Sequence, residues 1–595
     1  MLAGRWIEPS SSRQDARLAV REQWMRMALS LGLSLATLVA HASGGSVRDA
    51  EVSASATASP GYEIVELVRG AQLPGAFGMS FGPDGNLYVG SIAHSFIVAL
   101  DPVSGRVVRR IGREQGVLGP DDLTFGPDGS LYWTDIMSGE VGRLTPDGTV
   151  TKQYLAAGVN PITFSDEGRL FVGLCFMGDG LFELDPALRL PPRPIVVASE
   201  GNPHPLGFLN AFDFGPDGRL YGPLFAAGLV VSLDVDVCEA SSDPWSECDL
   251  RVVADGFEWP VAVKFDPLGR LHVLDQAGEV SWIDVATGAV TRIATLEPGL
   301  DNLAFDVAGN LFVSNADFGW VAQLHPDGQV RALVRGGMIM PQGVAALHAP
   351  DGTDRVFVAN QFRLYEVDGQ SGEQLAIYKG HLMPAPGALR IVTTLSADGE
   401  HLVASSWFSS SVQVWDPRTE TALEHYDMPA PINAIRFQGD LVVADLALGG
   451  VVWASDKTMV LASDDENVFL PAGLATDGER LWVGDWATGV VWQLTFEGRE
   501  VVSTLPVASG LAQPEGMALD ADGGLLVVET GARRLSRIDL ATGTVSVVAV
   551  GLDVGVPALD GYPPTWLFDG VAVGPSGAIY VSENGRNALT RIRPR

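Results

Sequence analysis

Polar side chains recur at one position of a repeated unit, four residues before the apolar residue that ends its first strand. Eight of the twelve positions hold an oxygen-bearing side chain: Asp121, Asn160, Asn210, Asp301, Gln342, Asn433, Glu515 and Asp569. The other four hold Phe77, Val261, Ile391 and Ala472. Carboxylate and amide oxygens that converge from several strands suit a hard divalent cation such as calcium. A structural role is the alternative, because Asn and Asp at strand starts also bond nearby backbone amides.

Two histidines and one tryptophan lie in segments expected near these positions. His204 and His381 each precede an inner strand, and a histidine there could serve as a general base near neutral pH. The alternative is an exposed loop histidine without a role. Trp486 follows Asp485 in a predicted turn, and we expect Trp486, Gln342 and His204 to contact a ligand.

The elements that must position these residues form a sequence repeat. The stretch from Phe81 to Val89 returns almost unchanged at Phe125 and Phe214, and looser copies follow at intervals of roughly 40 to 50 residues. Each copy has alternating apolar residues, a Pro-Asp-Gly type turn and three further strand patterns. Four antiparallel strands repeated at this period predict a β-propeller blade, so the chain is predicted to be all-β.

Twelve copies divide evenly into two rings. The last copy has only three strands, and a spare strand, Tyr62–Val68, precedes the first copy. We predict six-bladed rings over residues 62–326 and 327–595, with Tyr62–Val68 closing the first ring and Val330–Val334 closing the second. Spare strands that complete a blade remove exposed sheet edges. One large ring is the alternative, but its channel would be hard to fill.

Acidic or amide residues also recur where the second strand of a copy ends. They are Asp135, Asp275, Asn315, Asn360, Asp445, Asp485, Glu529 and Glu583. Because they recur so regularly, we predict a turn-stabilising role for them rather than ligand binding.

One copy of the motif carries a family resemblance. The stretch Pro514 to Asp520 reads Pro-Glu-Gly-Met-Ala-Leu-Asp and resembles the NHL repeat. The chain is also similar to the gluconolactonase, senescence-marker and luciferin-regenerating proteins and to streptogramin B lyase, over nearly all of residues 62–595. That resemblance implies a divalent metal, calcium above all, held by a Glu, an Asn and an Asp, which correspond here to Glu515, Asn433 and Asp569.

The resemblance also implies catalytic roles for Glu515 and Asp569, and we add His381. An alternative first-ring site consists of Asp121, Asn160, Asn210 and Asp301. It has no Glu at this position, in contrast to the pattern of the family.

Charge and targeting signals predict an exported chain. The formal net charge of −33 disfavours nucleic acid and anionic membrane surfaces as partners. Residues 1–42 read as a signal peptide region with an Ala-His-Ala cleavage site, and residues 43–61 read as a flexible leader. We therefore expect a secreted or periplasmic, monomeric protein without a membrane span.

The three cysteines fit an exported chain as well. Cys238 and Cys248 flank a short loop, and outside the cytoplasm this spacing favours a local disulfide that fixes the loop. Cys175 is expected to be a buried, unreactive thiol.

Two classes of function fit the sequence. The first is an exported, metal-dependent hydrolase or lyase that acts on a lactone or cyclic ester. The alternative is a non-catalytic NHL-repeat binding module of the cell envelope with a protein or glycan partner. The sequence has no nucleophile elbow, phosphate-binding loop, zinc-protease motif or dinucleotide fingerprint, which argues against serine hydrolases, kinases, zincins and NAD enzymes.

Overall fold

The fold is built almost entirely from short antiparallel strands. The structure, a computed structural model, describes residues 56–197, 206–238, 240–241, 243–349, 351–381, 386–463, 467–558, 565 and 567–595. These residues contain 49 strands and one short α-helix, α1 (Pro244–Glu247). Three 3-10 helices are Arg113–Gln115, Phe225–Ala227 and Thr530–Ala532. No helix in this part of the chain is long and apolar enough to cross a membrane.

The chain divides into two compact units. The first unit is Gly70–Ile339 and the second is Met340–Arg595 together with the N-terminal residues up to Arg69. Each unit contains six of the twelve sheets, which we number as blades 1–6 and 7–12. The predicted all-β fold of four-stranded antiparallel blades is thus confirmed.

The first unit contains strands β3 to β26 in chain order, four to a blade. Blade 1 is β3 (Met79–Phe81), β4 (Leu87–Ser91), β5 (Phe96–Leu100) and β6 (Val107–Ile111). Blade 2 is β7 (Pro120–Phe125), β8 (Leu131–Asp135), β9 (Glu140–Leu144) and β10 (Val150–Tyr154). Blade 3 is β11 (Val159–Phe164), β12 (Leu170–Leu174), β13 (Gly180–Leu184) and β14 (Arg193–Val197). Blade 4 is β15 (Asp213–Phe214), β16 (Leu220–Leu224), β17 (Leu229–Leu233) and β18 (Arg251–Asp255). Blade 5 is β19 (Pro260–Phe265), β20 (Leu271–Asp275), β21 (Glu279–Asp284) and β22 (Ala289–Thr295). Blade 6 is β23 (Leu300–Phe305), β24 (Leu311–Asn315), β25 (Val321–Leu324) and β26 (Val330–Val334).

The second unit contains strands β27 to β49 and the two N-terminal strands, β1 (Thr57–Ala58) and β2 (Tyr62–Val68). Blade 7 is β27 (Pro341–His348), β28 (Asp354–Asn360), β29 (Arg363–Asp368) and β30 (Gln374–Lys379). Blade 8 is β31 (Thr394–Asp398), β32 (His401–Ser406), β33 (Ser411–Asp416) and β34 (Thr421–Asp427). Blade 9 is β35 (Pro431–Phe437), β36 (Asp440–Asp445), β37 (Gly450–Trp453) and β38 (Met459–Ala462). Blade 10 is β39 (Pro471–Thr476), β40 (Arg480–Asp485), β41 (Val490–Glu497) and β42 (Glu500–Ala508). Blade 11 is β43 (Pro514–Leu519), β44 (Leu525–Glu529), β45 (Arg534–Ile538) and β46 (Val545–Val550), with β1 added outside β46. Blade 12 is β47 (Val571–Val573), β48 (Ile579–Glu583) and β49 (Ala588–Pro594), with β2 paired to β49.

The innermost strands of each unit contact one another in a closed cycle. In the first unit the innermost strand of blade 6, β23, contacts that of blade 1, β3. In the second unit β47 of blade 12 likewise contacts β27 of blade 7. All six innermost strands of the second unit line one cavity of about 240 Å³. The blades are therefore arranged around a central channel.

Aromatic pairs explain why Phe and Tyr recur in the repeat. The Phe that ends each innermost strand in the first unit packs on a ring in the second strand of the neighbouring blade. The pairs and the distances between ring centroids are Tyr88–Phe125 (4.9 Å), Tyr132–Phe164 (5.1 Å), Phe171–Phe214 (5.0 Å), Tyr221–Phe265 (5.1 Å), His272–Phe305 (4.9 Å) and Phe312–Phe81 (5.2 Å). Each pair contributes about 0.5–1.5 kcal/mol beyond its buried area. His272 is thus a packing residue between blades 5 and 6.

The N-terminal strand corrects our prediction of ring closure. Tyr62–Val68 pairs with Ala588–Pro594 in the second unit and does not close the first ring. Val330–Val334 is the outer strand of blade 6 and does not close the second. Each of blades 1 to 6 takes four consecutive strands, so only the last blade of the chain has a place for the N-terminal strand. The predicted boundary at residue 327 accordingly differs from the observed division after Ile339.

Glycine in the motif allows neighbouring innermost strands to approach closely. The N–H of Gly516 donates to the carbonyl of Asp569 at 3.1 Å, and a Cβ at Gly516 would lie 2.6 Å from that oxygen. Gly78 likewise donates to the carbonyl of Asp121 at 2.7 Å, where a Cβ would lie 2.5 Å away. Because these contacts are with backbone atoms, no side chain can move aside.

The acidic residues at the ends of the second strands hold the loop that enters the same blade. Asp135 accepts hydrogen bonds from the backbone N–H groups of Leu118 and Gly119, both at 2.9 Å. Glu529 accepts one from Ala512 at 2.8 Å. These loops lead directly into the innermost strands, so the acidic residues fix where the channel-facing residues begin. Asp485 also accepts from the N–H groups of Ala487 and Thr488 in the turn that follows its strand, which confirms for this residue the predicted turn-stabilising role.

The cysteines take the predicted states. Cys238 and Cys248 form a disulfide across the loop that contains α1. Cys175 is a buried free thiol, and burial raises its pKa well above its usual value, as does repulsion from Asp179 and Asp121. Cys175 is therefore a poor nucleophile.

Candidate functional site

Two carboxylates, one buried (Asp121) and one partly buried (Asp301), lie at the start of innermost strands in the first unit. Asp121 is the second residue of β7 and is 7 % exposed, and Asp301 is the second residue of β23. Burial and repulsion from Asp122 raise the pKa of Asp121 to about 8. Burial and repulsion from Asp121 raise the pKa of Asp301 well above its usual value. No described residue donates a hydrogen bond to either carboxylate, so nothing in that part of the chain offsets their burial.

Directly below them, an Asp–Asn pair crosses the channel. The Nδ2 of Asn302 donates to the Oδ1 of Asp122 at 3.1 Å, and the Oδ2 of Asp122 accepts from the N–H of Ile162 at 3.1 Å. A Cβ at Gly78 would lie 2.5 Å from the Oδ1 of Asp122, so this glycine leaves room for the crossing. Burial raises the pKa of Asp122, whereas the charge of Lys264 lowers it. Asp122 therefore differs from Asp121 in being fully bonded within the protein.

Two amides complete the oxygen donors at this end of the channel, where the innermost strands begin. We call this end the mouth. Asn160 and Asn210 come from blades 3 and 4, and each is 7 % exposed. The Oδ1 of Asn210 accepts from the N–H of Ala211 at 3.0 Å, which fixes its orientation. Apolar Phe77 and Val261 occupy the remaining two positions of the cycle. The first unit thus presents two carboxylates and two amides from four blades.

In the second unit the corresponding carboxylates already have hydrogen-bond donors. The Oε1 of Glu515 accepts from the Nε1 of Trp486 at 3.2 Å, and its Oε2 accepts from the N–H of Asp569 at 2.7 Å. Asp569 accepts from the N–H groups of Gly555 at 2.7 Å and Asn584 at 3.2 Å. Burial raises the pKa of Glu515 to about 8. Burial and repulsion from Glu515 raise that of Asp569 well above its usual value.

An apolar cluster closes the mouth of the second unit. Ile432, Leu470, Ala472 and Phe568 form one buried cluster, and Trp486 packs against it. Glu515 and Asp569 are 2 % and 0 % exposed. The cavity lies beside this cluster, and Phe568 forms part of its wall. The structure therefore brings Glu515, Asp569 and Trp486 together, but in a sealed setting.

Gln342 is equally buried in the second unit. It is 1 % exposed, and its Oε1 has no hydrogen-bond donor among the described residues. Its carbonyl lies beside Gly570, where a Cβ would approach to 3.0 Å. Gln342 is thus next to the Asp569 strand, at the position that the repeat predicts.

Strand register corrects two of the twelve predicted positions. In β35 the pairs Pro431↔Asp445 and Arg436↔Leu441 match the pairs Pro120↔Asp135 and Phe125↔Leu131 of β7. The counterpart of Asp121 is therefore Ile432, and Asn433 lies one residue beyond it. In blade 8 the counterpart of Asp121 is Thr393 and not Ile391, because Gly343 donates to the carbonyl of Thr393 as Gly78 does to that of Asp121. The premise that Asn433 shares the position of Glu515 is wrong.

Asn433 instead lines the cavity wall. Its Oδ1 accepts from the N–H of Ala434 at 2.9 Å, as the Oδ1 of Asn302 does from that of Leu303 at 2.8 Å. Asn433 is therefore the second-unit relative of Asn302, the residue that bonds Asp122.

Of the two predicted histidines, the structure describes His381, and it is not joined to either carboxylate pair. His381 follows β30, its backbone pairs with that of Leu389, and no described contact links its ring to Glu515 or Asp569. Burial, Lys379 and Arg363 lower its pKa. His204 lies outside the described residues.

Sequence reasoning missed Asp122 and Asn302. The prediction considered one residue of each innermost strand, whereas the pair that crosses the channel is formed by the next residue of two of these strands. The doublets Asp121-Asp122 and Asp301-Asn302 are the signal that could have found them, because both members of each doublet carry oxygen.

The donor set of the first unit suits a hard cation with few protein ligands. Within the described ranges, no three His, Cys, Asp or Glu side chains are grouped so that they could hold a metal ion. A cation at this mouth would therefore rest on Asp121 and Asp301, with the amides and water supplying the other oxygens. Calcium accepts such mixed oxygen ligands.

Comparisons with known proteins concern the fold. No family model matches the chain, and no curated protein matches it. A streptogramin B lyase structure is 14% identical and covers 50% of this chain and 95% of its own, with a TM-score of 0.34. A putative gluconolactonase is 14% identical over 47% of this chain and 94% of its own, with a TM-score of 0.34. The extracellular domain of a putative one-component system from B. thetaiotaomicron is 12% identical over 87% of this chain and 76% of its own, with a TM-score of 0.29.

Proposed function

We propose that the first unit binds a divalent cation of the calcium type at Asp121 and Asp301 and acts as a metal-dependent hydrolase or lyase on a lactone or cyclic ester. One observation carries this proposal. Asp121 and Asp301 are the carboxylates whose pKa values burial raises and to which no described residue donates a hydrogen bond. A cation between them would offset both the burial and the mutual repulsion.

The ligand set follows from the same strands. Asp121 and Asp301 would supply charge, and the side-chain oxygens of Asn160 and Asn210 could complete part of the shell with water. The Asp122–Asn302 pair below would hold the two carboxylate strands at a fixed separation, because it links blades 2 and 6 directly. We accordingly place the site in the first unit rather than at Glu515, Asp569 and Asn433.

The chemistry would be that of a Lewis acid beside a carboxylate. When bound, a cation held by Asp121 and Asp301 would polarise a carbonyl oxygen and would lower the pKa of bound water. Asp121 and Asp301 would orient the ligand, and whichever carboxylate oxygen is left free would accept a proton. Exclusion of water by Phe77 and Val261 strengthens these electrostatic interactions.

A non-catalytic binding role is the second candidate, and it concerns the second unit. Its mouth is closed by Ile432, Leu470, Ala472 and Phe568, and its carboxylates are bonded by Trp486 and backbone N–H groups. A sealed channel suits a propeller that presents loops to a protein or glycan partner. We also propose that the chain is secreted or periplasmic, which the Cys238–Cys248 disulfide supports.

Calorimetry with matched variants tests the site. The mature protein is stripped with a chelator and titrated with calcium and with magnesium, and then assayed on a panel of lactones. We expect Asp121→Asn to weaken cation binding at least 100-fold and to abolish turnover, because it removes one of two charged ligands. Glu515→Gln, the same type of change at the same repeat position of the second unit, should leave both unchanged. Loss of binding in Glu515→Gln but not in Asp121→Asn would move the site to the second unit, and absence of binding in the parent would refute the proposal.

A further inference from the structure

Blades 3 and 4 break the rule that a polar residue ends the second strand. Eight of the twelve blades have Asp, Glu or Asn there, and blades 1 and 8 have Ser91 and Ser406. Blades 3 and 4 alone have an apolar residue, Leu174 and Leu224. They are also the blades that supply Asn160 and Asn210 to the mouth. Neighbouring exceptions in an otherwise regular repeat point to a functional demand.

A carboxylate of blade 3 replaces the missing polar residue of blade 4. Asp179, in the turn after β12, accepts hydrogen bonds through its Oδ2 from the N–H groups of Leu206 (3.2 Å), Gly207 (2.7 Å) and Phe208 (3.3 Å). It therefore holds the loop that enters blade 4 from the adjacent blade. This arrangement frees the end of β16 for the apolar Leu224.

Aromatic side chains occupy the freed places. Phe176 follows Leu174 by two residues, and Phe225 follows Leu224 directly. The Phe176 ring stacks on Phe208 with centroids 5.9 Å apart and meets Phe225 edge-on at 5.3 Å, and Phe225 contacts Trp259 at 5.2 Å. We call Phe176, Phe208, Phe225 and Trp259 the aromatic shelf. It spans blades 3, 4 and 5 on the side where the innermost strands begin.

Two residues of the shelf have a costly backbone conformation. Phe176 and Phe208 both have φ of 65°, a region that bulky side chains rarely occupy. Such a conformation is unfavourable for a residue with a Cβ, so the surrounding structure must impose it. Asp179 does so for Phe208. Phe208 is buried, whereas Phe176 keeps the same conformation although it is partly exposed.

The shelf is continuous with the carboxylates of the mouth and partly open. Trp259 is 36 % exposed and Phe176 is partly exposed, whereas Phe208 and Phe225 are buried, so Trp259 and Phe176 are the rings that a ligand could reach. Phe208 precedes Asn210 by two residues. Cys175, directly before Phe176, lies close enough to Asp121 and Asp301 for both charges to act on its thiol. A small molecule could thus contact the rings and the mouth at once.

We propose that the aromatic shelf binds a flat apolar ring of the ligand while the acyl end of the same ligand reaches Asp121 and Asp301. This inference rests on the proposed function and adds the substrate class, a neutral lactone or cyclic ester that carries an aromatic ring. A lactone or cyclic ester is neutral and so adds no further charge beside Asp121, Asp122 and Asp301. Trp259 and Phe176 are the partly exposed rings and are held in place by the buried Phe225 and Phe208, and exposed aromatic rings suit contact with a planar group.

Binding of coumarin, an aromatic lactone, tests the shelf apart from catalysis. The full mature protein in chelator is titrated with coumarin, and binding is followed by ligand-observed NMR. We expect coumarin to bind the parent and δ-valerolactone, which lacks the aromatic ring, to bind at least tenfold more weakly. Trp259→Ala should weaken coumarin binding about tenfold, and Phe176→Leu should do the same. Trp245→Ala, which removes an exposed tryptophan outside the shelf, is the matched control and should bind coumarin like the parent.

The rate of lactone hydrolysis provides the second part of the test. If the parent hydrolyses dihydrocoumarin faster than δ-valerolactone and Trp259→Ala loses that preference, both proposals stand. Coumarin binding that depends on Trp259 in a protein without lactone turnover would refute the proposed function and retain the shelf. Equal coumarin binding by the parent and Trp259→Ala, or none by the parent, would overturn the shelf. Thermal melting of each variant separates loss of binding from loss of folding, and the milder Phe176→Leu keeps the test valid if Trp259→Ala melts early.

Discussion

The substitution Asp121→Asn separates the cost of a buried carboxylate from its use as a ligand. Without a cation, burial and Asp122 raise the pKa of Asp121 from 3.8 to about 8. The folded protein then keeps a proton on Asp121 that the unfolded chain releases above about pH 4. Stability therefore falls as the pH rises from about 4 to about 8. Asparagine has a similar shape and takes up no proton, so the variant should escape this loss.

The magnitude follows from the pKa interval. At pH 7 the carboxyl is about 3 pH units above its ordinary pKa, and each unit corresponds to about 1.4 kcal/mol. The upper limit of the gain is thus about 4 kcal/mol, and relaxation around the mouth reduces it. We expect Asp121→Asn in chelator to raise the free energy of unfolding by about 1–3 kcal/mol at pH 7 and by less than about 0.5 kcal/mol at pH 4.

Denaturant unfolding at pH 4, 5.5 and 7 measures this difference, first in chelator and then in calcium. Asp522→Asn removes the same charge from an exposed turn and serves as the control. Calcium should raise the stability of the parent by linkage and leave Asp121→Asn unchanged, so the order of the two proteins reverses. The reasoning is refuted if Asp121→Asn is no more stable than the parent at pH 7 in chelator, or if its advantage does not grow with pH.

Three further predictions concern the second unit and the disulfide loop. Gly516→Ala should destabilise the second unit by more than about 3 kcal/mol, since its Cβ would lie 2.6 Å from the Asp569 carbonyl oxygen, and thermal melting would reveal a lost or shifted transition. A chain that begins at Gly70 lacks the partner of Ala588–Pro594 and should self-associate through that edge, which light scattering would detect. Replacing Cys238 and Cys248 by serine should cost about 2 kcal/mol and admit proteolysis between the two positions, as mass spectrometry of the fragments would show.

The repeat made the blade predictable because its signals are local. The Pro-Asp-Gly turn, the alternation of apolar residues and the recurring Phe each act within one or two blades. Even the cycle of aromatic pairs, from Tyr88–Phe125 to Phe312–Phe81, uses the same two positions of each blade in the first unit. Local rules of this kind appear in the sequence as regular spacing.

Ring closure and strand register do not follow from local signals, and the predictions that depended on them were wrong. The partner of Tyr62–Val68 is more than 500 residues away, and two closures remove sheet edges equally well. Asn433 was misplaced because counting began at Phe437, which pairs with Asp440 across a two-residue turn, whereas Phe125 pairs with Leu131 across a longer one. One altered turn shifts every position that is counted from it.

The candidate site was predicted only in part, for an electrostatic reason. Residue type placed Asp121, Asp301, Glu515 and Asp569 at strand starts. Which pair has spare oxygens depends on Trp486 and on backbone N–H groups that spacing does not show. The second unit has donors for its pair, and the described part of the first unit has none for its own.

The pairing of the N-terminal strand Tyr62–Val68 with blade 12 sets an order of folding. The first unit is complete on the chain once Ile339 has been made, and it can assemble as one continuous segment. The second unit needs Tyr62–Val68, which is made before the first unit, and Ala588–Pro594, which is made after the other strands of the second unit. Until Ala588–Pro594 has been made, Tyr62–Val68 lacks the strand with which it pairs in the folded protein. Blade 12 can therefore be completed only once Ala588–Pro594 has been made. A chain that stops before Ala588 would leave the second unit open, although its first unit would already be complete.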